Sequence, residues 1–403
     1  MKTHPRMRLD LSWRDLACGF TGALWRGDDN ARVRDRIEHR WSTTGRAFVC
    51  LSVRTALDLY LAARAWPPGS EVLVTALNIP DMAKVIEAHG LVVVPVDLDP
   101  ATLAPHSGVL DRLRTERTRA ILVAHLFGGQ TPLASVVEFA ERHGLALIED
   151  CAQAFVGRGF TGHAAAALAL FSFGTIKTAT ALGGAIAIVG DPQVLAAMRR
   201  REQEYETAST LAFVRKLARA AVIQAIAGPR RFGGYVALLR ALGRDLDTTV
   251  QKTVRGFPGA DLLAQLRRRP PLALLRLLDR RSRQSHARRL QARAERATTL
   301  AAQLPPSIKL LGAALQHHSH WVVPVMAPNP GPLVQRLRAA GFDAHTRATL
   351  AVMSRTQPVT PTENKTPDME QALARLVYLP VGNDMTPSEL ARLAQVAHAS
   401  LRE

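Results

Sequence analysis

A single lysine, Lys177, stands between two small-residue turns in FSFGTIKTATALGGA, residues 171–185, with Ser172 five positions before it and Gly183-Gly184 after it. Apolar and small walls disfavour an ammonium and lower a lysine's pKa, as attack on a carbonyl carbon requires. Upstream, IEDCAQA puts Asp150 at the end of an apolar run and Gln153 three residues on. A carboxylate in that position can hold a proton on a ring nitrogen, and the Ser172 hydroxyl can donate to an anion. A cofactor with an aldehyde, a ring nitrogen and a phosphate would use lysine, carboxylate and hydroxyl together. Pyridoxal 5′-phosphate (PLP) has all three groups, and helix N-terminal amides can join the hydroxyl at its phosphate.

The other candidate ligands form no such set. His125, in AHLFGG, reads as a satisfied loop histidine rather than a proton carrier. The HHSH run, 317–320, alternates into a strand and reads as edge and loop histidines, so no metal site is expected. Cys18, Cys50 and Cys151 are odd in number and widely spaced, which fits neither a disulfide framework nor a metal pattern and suits a reducing cytoplasm. The opening MKTHPRMRLDLSWRDLACGF lacks a signal peptide's apolar stretch, and the chain has no long uncharged run. A cytoplasmic protein, at most peripheral at a membrane, is expected.

These residues need a scaffold, and the pattern supplies one. Of 403 residues, 47% are hydrophobic, which excludes a disordered chain. Short apolar runs at 46–52, 71–77, 91–97, 119–128 and 145–150 read as strands. Helical stretches lie between them at 54–66, 81–90 and 132–144, and ALALFSFG and GAIAIVG add strands around the lysine. Strands alternating with helices argue an α/β fold with a mostly parallel sheet covered on both faces, its ligands at the strands' carboxyl ends. After about residue 305 the α/β pattern resumes, through HWVVPVMA to a capped C-terminal helix in TPSELARLAQVAHASL. The expected division is an N-terminal segment (1–45), a large domain (46–200), a basic helical insertion (201–275) and a smaller C-terminal α/β domain (276–403).

The net charge of +18 is concentrated: residues 199–300 hold 23 Lys and Arg against 8 Asp and Glu. This segment reads as helical, broken at GPRRFGG (228–234) and RRRPP (267–271). In 211–228, Leu211, Val214, Leu217, Ala218, Ala221, Val222, Ala225 and Ile226 are expected on one face, with Arg215, Lys216, Arg219 and Gln224 elsewhere. A solvated face or oligomer contact is one reading. The other lays residues 211–242 on an anionic membrane surface. No nucleic-acid partner is expected, because no reader motif accompanies the arginines.

In order, SVRTAL, VPVDLDPATL, AILVAHLFGG, GLALIEDCAQAF, FSFGTIK and LGGAIAI resemble the DegT/DnrJ/EryC1/StrS (sugar) aminotransferases, of PLP fold type I, over about residues 30–200. The likeness resumes at about 275–400. It implies an aspartate aminotransferase-like fold and a homodimer with its sites at the subunit interface. Lys177 would be the Schiff-base lysine and proton shuttle, Asp150 the partner of the ring nitrogen, and Gln153 would face the ring hydroxyl. Ser172, with Val53 and Arg54 at a helix start, would bind the phosphate. An amino donor such as glutamate and a keto or aldehyde acceptor on a sugar-like, even lipid-linked, compound would be the substrates. The chain departs from the family where Val53-Arg54 replaces the usual Gly-Thr, where Ile79 or Asn78 stands in place of a ring-stacking aromatic, and where Leu182 replaces an acid. Arg255, in VRGFPG, is the nearest counterpart of an arginine that reaches a neighbouring subunit. A PLP-dependent lyase or dehydratase, or a non-catalytic membrane-associated homologue with a vestigial site, remains an alternative.

Overall fold

The computed structural model describes residues 2–6, 8–25, 27, 29–157, 159–249, 261–346, 350–355 and 365–401. The apolar runs become β1 (Ala47–Cys50), β2 (Glu71–Thr75), β3 (Leu77–Asn78), β4 (Val92–Val96), β5 (Thr118–Ala124), β6 (Ala146–Asp150), β7 (Leu168–Ser172) and β8 (Ala185–Val189). All but β3 join one sheet in the order β1-β8-β7-β6-β5-β2-β4, in which only β8 runs against its neighbours. Both faces are covered, which is why the strands read as continuous apolar runs. Val72 and Val74 join the core under the Val53–Arg64 helix, while Leu73 between them joins Val136 and Phe139 on the opposite face. The fold is α/β, as the alternation of strands and helices implies.

A second, three-stranded antiparallel sheet pairs Lys309–Leu310 with Val323–Met326 and the latter with Leu376–Leu379. Its own core includes Leu333, Leu337, Leu390 and Leu393 from the Pro330–Ala339 and Pro387–Ala399 helices. The latter helix opens with a reciprocal cap between Thr386 and Glu389.

The N-terminal segment forms two helices, Trp13–Leu24 and Asn30–Trp41. Gly22 lies against Ala273 and Arg276 of the Leu272–Arg283 helix. That helix buries Arg281, whose guanidinium donates to Asp15 and to Thr180 O (3.1 Å each). Asp10 in turn accepts from Ala179 N (2.7 Å). Thus the N-terminal arm grips the loop that carries Lys177.

The basic segment is closed at its ends by a short parallel pairing of Glu206–Thr207 with Arg268–Arg269. Its helices span Thr210–Ile226 and Pro229–Ala241. The expected break at GPRRFGG narrows to Ala227-Gly228: Pro229 starts the second helix, where its missing N–H costs nothing, and Gly233 and Gly234 lie inside it. The expected apolar face of 211–228 is also corrected. Phe213, Leu217 and Ala220 are buried, whereas Leu211, Ala218 and Val222 point outward. The helix is apolar on more than one side, and its neighbour chooses: Gly19 lies so close to Leu217 that a Cβ there would meet Leu217 Cδ2 at 2.5 Å.

Candidate active site

Lys177 sits on a loop tied to one carbonyl. Phe173 O accepts from Ala181 N (2.9 Å), Gly183 N (3.1 Å) and Thr180 Oγ1 (3.3 Å). Ala179 and Leu182 adopt left-handed φ values of 58° and 61°, conformations that cost a side-chain-bearing residue energy and persist where the surroundings dictate them. Trp321 donates from Nε1 to Ile176 O (2.7 Å), and its ring centroid lies 4.4 Å from Lys177 Nζ. The Trp321 segment needs Gly128 beneath it. With φ at 99°, Gly128 admits Ser319 Oγ and Trp321 N to within 2.5 Å of where a Cβ would stand.

Burial brings the Lys177 pKa down to about 8; Asp150 opposes this and Arg54 adds to it. Asp150 ends β6 and is itself pushed up by burial, against the Ala152 N–H and the charges of Lys177, His125 and Arg54. Its Oδ1 accepts from Ala152 N (3.0 Å). Gln153 accepts from Phe127 N through Oε1 (2.9 Å), which leaves its amide N–H groups for the cavity that it lines. His125 pairs through Nε2 with Glu149 (2.9 Å) and accepts from Thr131 N at Nδ1 (3.0 Å), so both ring nitrogens are engaged.

Ser172 closes β7, its Oγ 3.4 Å from Gly174 N. Ser52 caps the Val53–Arg64 helix by accepting from Thr55 N (3.1 Å), so the amides of Val53 and Arg54 lie in the first turn, at the positive end of the dipole. Arg54 turns inward, its Nε 3.2 Å from Asp81 Oδ2. Asn78 accepts from Ile79 N (2.7 Å), and its buried Nδ2 has no hydrogen-bond partner among the described residues. Arg255 lies outside the described residues.

A cavity of about 630 Å³ opens over Lys177. Gln153, Ile176, Thr178 and Trp321 line it, with Arg6, Arg8 and Trp13 of the N-terminal arm and Gln224, Gly228 and Arg231 of the basic segment. It is strongly cationic. Arg6 pairs with Asp247 and Asp343, Arg8 with Asp384, and Arg289 with Asp10. Arg293 donates only to neutral oxygens, Ser319 O (2.7 Å) and Thr178 Oγ1 (3.2 Å), and burial lowers it to about 10. No ion pair to Arg231 or Arg293 exists among the described residues. Nearby, His318 and His320 stack 3.8 Å apart, and burial depresses them to about 3 and about 4, which leaves both neutral near pH 7.

Sequence reasoning missed Trp321, Arg231, Arg293 and the N-terminal arm. In sequence Trp321 reads as part of a strand, and the arginines as part of a basic helical background.

Residues 26–209 match the DegT/DnrJ/EryC1/StrS aminotransferase family. The GDP-perosamine synthase of Caulobacter vibrioides is 36% identical over 156 residues, 38% of this chain and 42% of that protein. The L-glutamine:scyllo-inosose aminotransferase of Streptomyces griseus is 31% identical over 195 residues, 46% of each. The chain thus aligns with less than half the length of these curated relatives. The aminotransferase TlmJ from Streptoalloteichus hindustanus superposes with a TM-score of 0.70 at 17% identity, over 99% of both chains, which establishes a shared fold. Residues 26–209, where Asp150, Ser172 and Lys177 lie, are thus the part of the chain similar to the DegT/DnrJ/EryC1/StrS aminotransferase family.

Proposed function

We propose that the protein is a PLP-dependent aminotransferase that moves an amino group from a donor such as glutamate to a keto or aldehyde group of a sugar-like acceptor. The observation that carries this reading is the lysine amine brought down to about 8 at a cavity wall, with a buried carboxylate coupled to it. The donor set fits PLP: an amine for the aldehyde, Asp150 for the ring nitrogen, the Gln153 amide for the ring hydroxyl, and Ser172 with the Val53 and Arg54 amides for the phosphate. The Arg54 guanidinium adds charge where the backbone lacks the usual glycine. When bound, the cofactor supplies an electron sink through which an amino group passes between two substrates.

The chain's own residues do the rest. The negative charge of Asp150, which favours the ammonium of Lys177, equally favours a proton on a ring nitrogen facing it. Lys177 Nζ gains and loses a proton near neutral pH, so it can serve as acid and base over the cavity. Trp321 fixes the direction of that amine. Arg293 and Arg231 offer guanidinium groups to carboxylate or phosphate groups of the substrates. The protein acts as a homodimer on this reading, and an acceptor carried on a lipid would meet the basic insertion at the cavity mouth.

Absorbance spectra of the protein with PLP, before and after glutamate, test the reading beside Lys177→Ala. A cofactor band that converts with glutamate and is missing in the variant is expected. A bound cofactor that ignores every amino donor would overturn the aminotransferase assignment.

A further inference from the structure

The large apolar side chains that the described residues leave exposed are confined to two stretches. Trp13, Leu24 and Trp25 belong to the N-terminal helix and its C-cap, and Leu211, Val222, Leu238 and Leu242 to the inserted helices and the residue closing them. Each is more than half exposed, from 55% at Trp25 to 81% at Leu24. The stretches adjoin: Gly19 of the first packs on Leu217 of the second, and Trp13 and Gln224 line the same cavity.

Charge follows the same boundary. Between Glu206 and Asp245 the sequence has no acidic residue and seven basic ones: Arg215, Lys216, Arg219, Arg230, Arg231, Arg240 and Arg244. All seven are exposed, and none forms an ion pair among the described residues. Elsewhere the arginines are extensively paired, as Arg6, Arg34, Arg40, Arg267 and Arg281 show.

Three occupants could cover such a face, and its chemistry separates them. A second copy related by a two-fold axis would set seven uncompensated cations against the same seven. A nucleic acid would match the charge but give Leu211, Val222, Leu238 and Leu242 nothing to bury against. An anionic bilayer supplies phosphate at headgroup depth and hydrocarbon beneath it, so it satisfies both. No helix among the described residues is long and apolar enough to cross a membrane, so the contact would be one of surface docking.

We propose that the Trp13–Leu24, Thr210–Ile226 and Pro229–Ala241 helices form a docking surface for anionic lipid bilayers. Because Gln224, Gly228 and Arg231 of the same insertion line the cavity, docking sets the cavity mouth beside the headgroups. The acceptor is then the polar head of a membrane-borne amphiphile. This last step rests on the aminotransferase reading; the docking itself does not.

The test is sedimentation of the full chain with phosphatidylcholine vesicles that contain or lack phosphatidylglycerol, at low and high salt, with tryptophan emission recorded alongside. Binding to the anionic vesicles with a blue shift is expected, since Trp13 and Trp25 lie in this surface. Leu238→Glu with Leu242→Glu, and separately Arg215→Glu with Arg219→Glu, should each weaken partitioning by about tenfold or more. Unchanged circular dichroism would exclude misfolding. Failure to bind anionic vesicles overturns the proposal. So does a dimer that both variants dissociate, which would assign the face to a second copy, or oligonucleotide binding without vesicle binding. Lys177→Ala must still bind vesicles, so loss of the cofactor band and loss of docking are separate results.

Discussion

The amine of Lys177 should titrate near pH 8, and the two charges coupled to it should move that midpoint in opposite directions. Burial depresses the ammonium from 10.5 to about 8. At about pH 7.5 that leaves roughly a quarter of the amine neutral, against roughly one part in a thousand for a free lysine, a gain of about 200-fold in reactive amine. In the cofactor-free protein, labelling with a small amine-reactive acyl reagent across pH reads this directly, with the peptide containing Lys177 followed by mass spectrometry. Asp150 favours the ammonium, so Asp150→Asn should lower the midpoint. Arg54 disfavours it, so Arg54→Gln should raise it. The Trp321 ring beneath Nζ also favours the cation, and Trp321→Leu should lower the midpoint too. A midpoint near 10.5 in the parent would refute the claim that burial activates this amine. Shifts of the same sign in Asp150→Asn and Arg54→Gln would refute the electrostatic account while leaving the burial intact.

The same geometry makes two further predictions. On the aminotransferase reading, Arg293→Gln removes the guanidinium beside Thr178, and steady-state kinetics should show KM for one of the two substrates raised about tenfold or more, with the cofactor spectrum unchanged and partial recovery in Arg293→Lys. For Asp58, burial raises the carboxyl, but hydrogen bonds from His89 and Arg267 outweigh it and bring it down to about 2. Because the folded value lies below the unfolded 3.8, the resulting stability of about 2 kcal/mol is present above pH ~4 and is lost as pH falls towards about 2. Urea titrations from neutral to acidic pH should show that loss, and Asp58→Asn should flatten it.

What the sequence revealed and what it hid divide along a physical line. Asp150, Gln153, Ser172 and Lys177 lie within 28 consecutive residues, on strand ends and the loops that follow them, so strand periodicity alone places them at one edge of a sheet. Arg293 and Trp321 reach the same cavity from the C-terminal third, and Arg6 and Arg8 from the first ten residues. No local pattern distinguishes Arg293 from the arginines at 288, 289 and 296 around it; only its partners, Ser319 O and Thr178 Oγ1, do.

The inserted helix shows the same limit from the packing side. Its periodicity allowed more than one buried face, and the choice fell to Gly19, some 200 residues away, whose missing side chain receives Leu217. Once Leu217 turns inward, Leu211 and Val222 must turn out, because a helix cannot bury opposite sides against one neighbour. The exposure of those two residues is therefore a consequence of how the N-terminal helix packs. Replacing Gly19 with a bulky residue should push the inserted helix away and loosen the N-terminal arm, the same arm whose Asp10 holds the amide of Ala179 two residues beyond Lys177. The surface proposed for lipid docking and the loop that carries Lys177 are thus held by one N-terminal segment, which sequence periodicity alone would have left as an appendage.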